Sequence, residues 1–204
     1  MIVIVDYDMG NVGSIANMLR KIGVPAVITA DVSQIEDADK LILPGVGAFD
    51  TGMTNLDQGG LLPVLNRKVE QGVPVLGICL GMELLTRGSE EGVCPGLGWI
   101  EGRTVRFHFP DGTAHLNVPH MGWNSVRPAA GSRLLRDVPS DARFYFVHSY
   151  HVACDRDQDV AGMTPYGYEF ASVIEHGNVM GTQFHPEKSH RFGMALLRNF
   201  AALE

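Results

Sequence analysis

Ile2-Val3-Ile4-Val5 is an unbroken apolar run, and the next apolar positions, Val12, Ile15, Leu19 and Ile22, return at helical spacing. A continuous run is what a strand covered on both faces of a sheet requires. The i, i+3, i+4 recurrence marks one face of a helix. Gly23 stands where such a helix would close through a left-handed residue. Residues 26–29 and 40–43 read as two more short strands. Leu61, Leu62, Leu65 and Val69 form a second helical stripe ended by Gln71-Gly72, and residues 73–78 are the next strand. Strand–helix alternation of this kind predicts a parallel sheet with helices on both sides.

Beyond residue 98 the pattern changes. Residues 98–109, 144–152, 171–175 and 178–183 are strand-like and are separated by Gly, Pro and Asp turns. Glu175-His176-Gly177-Asn178 has hairpin chemistry, because Gly177 and Asn178 tolerate positive φ. Residues 189–203 form a closing amphipathic helix with Phe192, Leu196 and Phe200 on one face. No linker, low-complexity stretch or internal repeat interrupts the 204 residues. The expected architecture is one α/β domain over 1–204, a central, mostly parallel mixed sheet flanked by helices.

Composition narrows the function classes. With 45% hydrophobic and 19% charged residues the chain is globular, and its net charge of -7 argues against a nucleic-acid binder. The N-terminus lacks a basic region and leads straight into a strand, which suits a first structural element better than a signal peptide. Its apolar runs are too short to cross a membrane. Cys79, Cys94 and Cys154 are an odd set without CxxC spacing. They suit a reducing cytoplasm, with neither a disulfide framework nor a structural zinc site.

Chemistry enters at Gly77-Ile78-Cys79-Leu80-Gly81, where an apolar strand meets a helical pattern. This is a nucleophile elbow with Cys in place of Ser: a tight turn strains the nucleophile's backbone, and flanking glycines remove side chains that would collide. The positive end of the following helix is expected to lower the thiol pKa, and the Leu80 N–H could meet a developing oxyanion. From the elbow alone, a buried thiol and a nucleophile are both open readings.

Gln183-Phe184-His185-Pro186-Glu187 decides between them. A thiolate attacking an amide needs an acid to protonate the departing ammonia, and imidazole titrates in the right range. Glu187 is expected to fix the tautomer of His185, alternation along an extended segment placing both on one side. Pro44-Gly45-Val46-Gly47-Ala48-Phe49 is a strand running into a glycine-bearing loop that could turn a second N–H toward the reacting carbon. It lacks the Gly-Lys-Ser/Thr ending of a phosphate loop.

The elbow and the His-Pro-Glu triplet together resemble the class I, triad-type glutamine amidotransferases. Residues 6–11, 44–49, 119–124 and 145–150 extend the likeness over nearly the whole chain. They narrow it to members that work beside a (β/α)₈-barrel cyclase subunit in histidine biosynthesis. The resemblance implies a flavodoxin-like domain in which Cys79 attacks glutamine's side-chain amide and His185 and Glu187 complete the triad. Leu80 and the Gly45-Val46-Gly47 loop would form the oxyanion hole, a loop that reorients in this family. Glu83, Ser149 and Tyr150 would contact glutamine, and Met121, Gly122 and Trp123 would face the partner near an ammonia passage. No cofactor or metal is implied. The family usually carries glutamine where Glu83 stands here, so altered glutamine affinity and opposition to thiolate formation are expected.

Overall fold

The computed structural model describes residues 1–109 and 116–203. Its parallel body is built from β1 (Ile2–Val5), β2 (Ala26–Thr29), β3 (Lys40–Gly45) and β4 (Val75–Cys79), joined by β12 (Val179–Thr182) in the order β2-β1-β3-β4-β12. The sheet continues antiparallel through β11 (Tyr168–His176), β10 (Val160–Tyr166) and β7 (Arg127–Pro128). A branch adds β9 (Tyr150–Cys154), paired to both β11 and β5 (Gly102–Arg106). Separate from it, β6 (His120–Ser125) and β8 (Arg143–His148) form a two-stranded antiparallel ribbon.

Strand alternation divides the core into two layers. Ile2 and Ile4 pack with Ile15 and Leu19 of α1 (Val12–Lys21) and with Leu196 and Phe200 of α6 (His190–Ala201). Val3 and Val5 face the opposite side, against residues of α2 (Val32–Glu36), α3 (Phe49–Gln58), α4 (Leu62–Glu70) and α5 (Leu80–Leu84). Burial on both faces is why the parallel strands carry unbroken apolar runs. Asn11 and Asp31 cap α1 and α2 by accepting backbone N–H bonds, and Gly23 at φ 77° follows the end of α1 as expected.

Several sequence-based boundaries shift. Residues 98–109 contain only the short β5, and 144–152 is two strands broken at Ser149 rather than one. The break falls where the chain leaves the small ribbon and enters the large sheet. At the β11–β12 turn only Gly177 takes positive φ. Helices α2 and α3 and strands β6, β7 and β10 were not foreseen.

Candidate active site

Cys79 ends β4 and immediately precedes α5, with φ 53° and ψ −111°. A non-glycine residue there is strained, and the surrounding packing holds it in place. An added Cβ on Gly77 would lie 2.6 Å from Gly81 O, and one on Gly81 would lie 1.8 Å from Leu43 O. Both glycines therefore let the elbow fold against its neighbouring backbone, as the sequence predicts.

The thiol departs from expectation. Cys79 is 6% exposed, and burial pushes its pKa far above the ordinary range, with the nearby Glu83 raising it further. A hydrogen bond from the Leu80 N–H works in the opposite direction and loses. Helix α5 is only five residues long, so its dipole is a small counterweight. The resting group is a neutral thiol.

His185 follows β12 and is 1% exposed. Its Nδ1 lies 2.8 Å from Glu187 Oε1, a group that accepts only, so Nδ1 carries the hydrogen. That leaves Nε2 buried and without a protein partner among the described residues. The local backbone differs from the extended segment expected: Pro186–Lys188 is a turn of 3₁₀-helix, and this turn swings Glu187 back onto the imidazole. Proline fits its first position because the missing N–H is unpaired there in any case. The His185 N–H donates to Tyr145 O at 2.9 Å, so β8 anchors the imidazole's backbone.

Cys79 and His185 line one cleft of about 270 Å³ together with Val46, Gly47, Leu80, Glu83, Ser149 and Tyr150. Val46, half exposed, and Gly47, at φ 133°, form its outer lip. Gly45 sits in the sheet instead, paired with Cys79 across the β3–β4 ladder. Glu83 is buried behind the thiol, where its Oε1 accepts from Gln183 Nε2 at 2.8 Å. The same nitrogen lies 4.0 Å from Cys79 Sγ. Burial pushes the Glu83 carboxyl up to about 8 despite that hydrogen bond. Met121, Gly122 and Trp123 do not reach the cleft. They lie on β6, one strand beyond β8, with Met121 62% and Trp123 43% exposed.

Sequence reasoning missed several contributors, Pro119 and His148 among those that line the cleft. Glu91 lines the cleft, its Oε2 accepting from Phe49 N at 2.8 Å. Its loop has no hydrophobic period to mark it. Val147 lines the wall and presents its carbonyl 3.9 Å from Cys79 Sγ. Gln183 stood in the quoted motif without a role. Among the described residues that line the cleft none is a lysine or arginine, so an amino-acid ligand would find carboxyls for its ammonium and backbone N–H groups for its carboxylate. Among the described residues no three His, Cys, Asp or Glu side chains cluster as metal ligands.

An α/β sheet with a cysteine at a strand–helix elbow, sharing a cleft with a His–Glu pair, defines a class of protein built for thiol-based acyl transfer. The sequence model of the family Glutamine amidotransferase class-I matches residues 3–203, and the chain belongs to that family. Its relatives are more particular. It is 52% identical to imidazole glycerol phosphate synthase subunit HisH 2 of Methanococcus maripaludis, over 98% of each chain. It is 45% identical to subunit HisH of Bdellovibrio bacteriovorus and 47% identical to subunit HisH 2 of Pseudomonas aeruginosa, each over the full length of both chains. Among solved structures, a chain of PurLQS from Thermotoga maritima superposes with a TM-score of 0.73 at 17% identity, covering 98% of this chain and 96% of that one. A glutamine amidotransferase superposes at 0.71 with 20% identity, covering 98% and 99%. At those identities the structural matches speak for the fold.

Proposed function

We propose that this chain, as one domain over 1–204, hydrolyses glutamine to glutamate and ammonia within imidazole glycerol phosphate synthase. The ammonia passes to a (β/α)₈-barrel cyclase subunit that makes imidazole glycerol phosphate and aminoimidazole carboxamide ribonucleotide in histidine biosynthesis, in the cytoplasm. The observation that carries the glutaminase reading is the buried, unpartnered Nε2 of His185 in the cleft of the elbow thiol, its ring fixed by Glu187.

The steps follow from those positions. His185 Nε2 takes the Cys79 proton as the sulfur attacks glutamine's side-chain carbonyl carbon, a C–S bond forms and the carbonyl electrons move to oxygen. The N–H of Leu80 and one from the Val46–Gly47 lip meet that oxygen. Collapse expels the amide nitrogen, which takes the proton from His185 and leaves as ammonia. Water, deprotonated by the same Nε2, then cleaves the thioester to glutamate and returns the proton to sulfur. Because the resting thiol is neutral, transfer to His185 is coupled to attack rather than completed beforehand. Glu91 faces the substrate ammonium, the neutral Glu83 carboxyl adds an acceptor oxygen there, and the Ser149–Tyr150 backbone faces the substrate carboxylate. No cofactor takes part, and Met121, Gly122 and Trp123 are assigned to the partner-facing surface near the ammonia passage.

The test is glutamate release by the chain alone, with a cyclase subunit, and with the cyclase's nucleotide ligand. A stepwise rise is expected. Glu187→Gln should lower kcat by about a hundredfold or more with little change in KM, because the amide can turn its NH2 toward Nδ1 and favour the wrong tautomer, and the charge that stabilises the imidazolium is gone. Absence of glutamate release in all three conditions would refute the reading. A second reading keeps the chemistry and changes the acceptor, and is suggested by two relatives named HisH 2. Glutamine hydrolysis stimulated by a partner that forms no imidazole product would favour it.

A further inference from the structure

Two stretches of the sequence, 119–124 and 145–150, have so far supplied a surface and a wall; their histidines have no role in the steps above. Those histidines meet. His148 Nδ1 lies 2.6 Å from Tyr150 O, His148 Nε2 lies 3.0 Å from His120 Nδ1, and His120 Nε2 lies 3.2 Å from Asn124 Nδ2. The chain is directional because both ends are fixed by backbone. Tyr150 O can only accept, so His148 Nδ1 carries hydrogen. Asn124 Nδ2 donates to Pro165 O at 2.9 Å while its Oδ1 accepts from Ser125 N at 2.8 Å, which leaves it a donor toward His120. One arrangement of neutral imidazoles satisfies every link: Asn124 to His120, His120 to His148, His148 to Tyr150.

Burial of both rings supports the neutral forms, holding His120 near pKa 4 and His148 near 3. Phe146 stacks on His120 from one side at 4.7 Å and Tyr166 from the other at 3.9 Å, so the ring is clamped as well as bonded. The far end of the chain sits at the junction between the two sheets. Ser149 lies between β8 of the small ribbon and β9 of the large sheet, outside both ladders. Besides the His148 bond, the corner is tied by Phe107 N to Ser149 O at a long 3.3 Å and by the pairing of Tyr150 with Arg106 at the end of the β5–β9 ladder. This corner lines the cleft, as does part of His148 itself.

We propose that His148 is a positioning residue, its tautomer set by His120 and Asn124, that holds the Ser149–Tyr150 corner in the shape that binds glutamine. The proposal rests on the glutaminase reading. It predicts a defect in binding rather than in chemistry, since neither imidazole takes a proton from the reacting atoms.

The experiment measures inactivation of the full chain by 6-diazo-5-oxo-L-norleucine, separating half-saturating concentration from limiting rate. Iodoacetamide labelling of Cys79 serves as a control for thiol access. His148→Leu should raise the half-saturating concentration by about tenfold, the worth of one lost hydrogen bond at a buried corner, and change the limiting rate by less than about threefold. His148→Asn places an amide donor where Nδ1 stood and should restore most of the loss. His120→Phe keeps the stacking but removes the tautomer control, and should give an intermediate rise. An unchanged half-saturating concentration in His148→Leu overturns the proposal, as does an equal rise in the Leu and Asn variants. If His148→Leu does not fold, as judged by its melting transition, His120→Phe decides in the same way. A wild type not inactivated in a saturable manner would sink the glutaminase reading itself, a result distinct from either.

Discussion

Replacing Glu83 with glutamine isolates one charge behind the nucleophile. In the wild type, Gln183 Nε2 stands 2.8 Å from Glu83 Oε1 and 4.0 Å from Cys79 Sγ. The carboxyl oxygen and the sulfur are therefore no more than about 7 Å apart, a separation at which two like charges in a protein environment repel by about 2 kcal/mol. That energy changes the thiolate fraction by roughly thirtyfold. It operates only when Glu83 is ionised, and burial holds that carboxyl up to about 8. At pH 6 the wild type carries a neutral acid at this position and should behave like Glu83→Gln, whose side-chain oxygen can still accept from Gln183. Above pH 9 the wild-type carboxylate opposes thiolate formation and the variant has no such charge.

The assay is iodoacetamide labelling of the Cys79 peptide, read by mass spectrometry separately from Cys94 and Cys154, from pH 6 to 10. The ratio of variant to wild-type rate should start near one and climb through pH 8 toward about thirtyfold. A ratio that stays flat across this range refutes the reasoning, because either the carboxyl does not titrate there or its field does not reach the sulfur. A ratio already large at pH 6 refutes it differently, by showing that Glu83 is ionised at rest.

The same substitution has a stability signature. The folded-state pKa of Glu83 is raised from 4.5 to about 8, so the folded wild type binds the extra proton and loses stability as pH rises across that window. Glu83→Gln should gain on it progressively between pH 5 and 8, by up to on the order of 4 kcal/mol, as measured by urea unfolding; a gain that shrinks with pH contradicts the sign. Gly81→Ala would put a Cβ 1.8 Å from Leu43 O. It should cost at least about 3 kcal/mol, and an unchanged denaturation midpoint would show that the elbow can relax. Trp123→Ala should weaken capture of the cyclase subunit by about tenfold or more, with only a modest fall in melting temperature from the lost packing on His190 and Tyr145, since the residue is 43% exposed. A titration with equal Kd for both forms would remove Trp123 from the interface.

Much of this fold can be read where the hydrophobic period is unambiguous. β1 and α1 satisfy their patterns because each buries its apolar positions against the same sheet. Helix α3 was not foreseen: Phe49, Met53 and Leu56 have helical spacing, but Thr51, Gly52, Thr54 and Asn55 between them are weak helix formers. Packing of its apolar face against α5 outweighs that propensity. Strand β10 carries Gly162 and Pro165, and its ladder with β11 is irregular at Gly162, so no clean alternation exists to detect. The division of 144–152 into two strands is set by different partners, β6 and β5, lying far away in sequence. Local sequence carries no record of a change of sheet.

The site divides along the same line. Short-range chemistry is legible: the glycines about Cys79 and the pairing of His185 with Glu187 both emerge, although the latter uses a 3₁₀ turn rather than an extended strand. Long-range electrostatics is legible only in part: opposition of Glu83 to the thiolate is expected from the sequence and present in the fold, whereas the larger effect of burial is not. The sequence places Cys79 at a helix start, a position worth about 0.3–1 kcal/mol in favour of the thiolate, or less than one pH unit. The fold encloses the sulfur and sets a buried carboxyl behind it, and full desolvation moves a group by as much as 3–5 units. The larger effect wins, so the resting thiol stays protonated. The unpartnered Nε2 of His185 shares the cleft with that thiol and supplies the base it needs, a proton-transfer role that the His-Pro-Glu triplet already carries in the sequence.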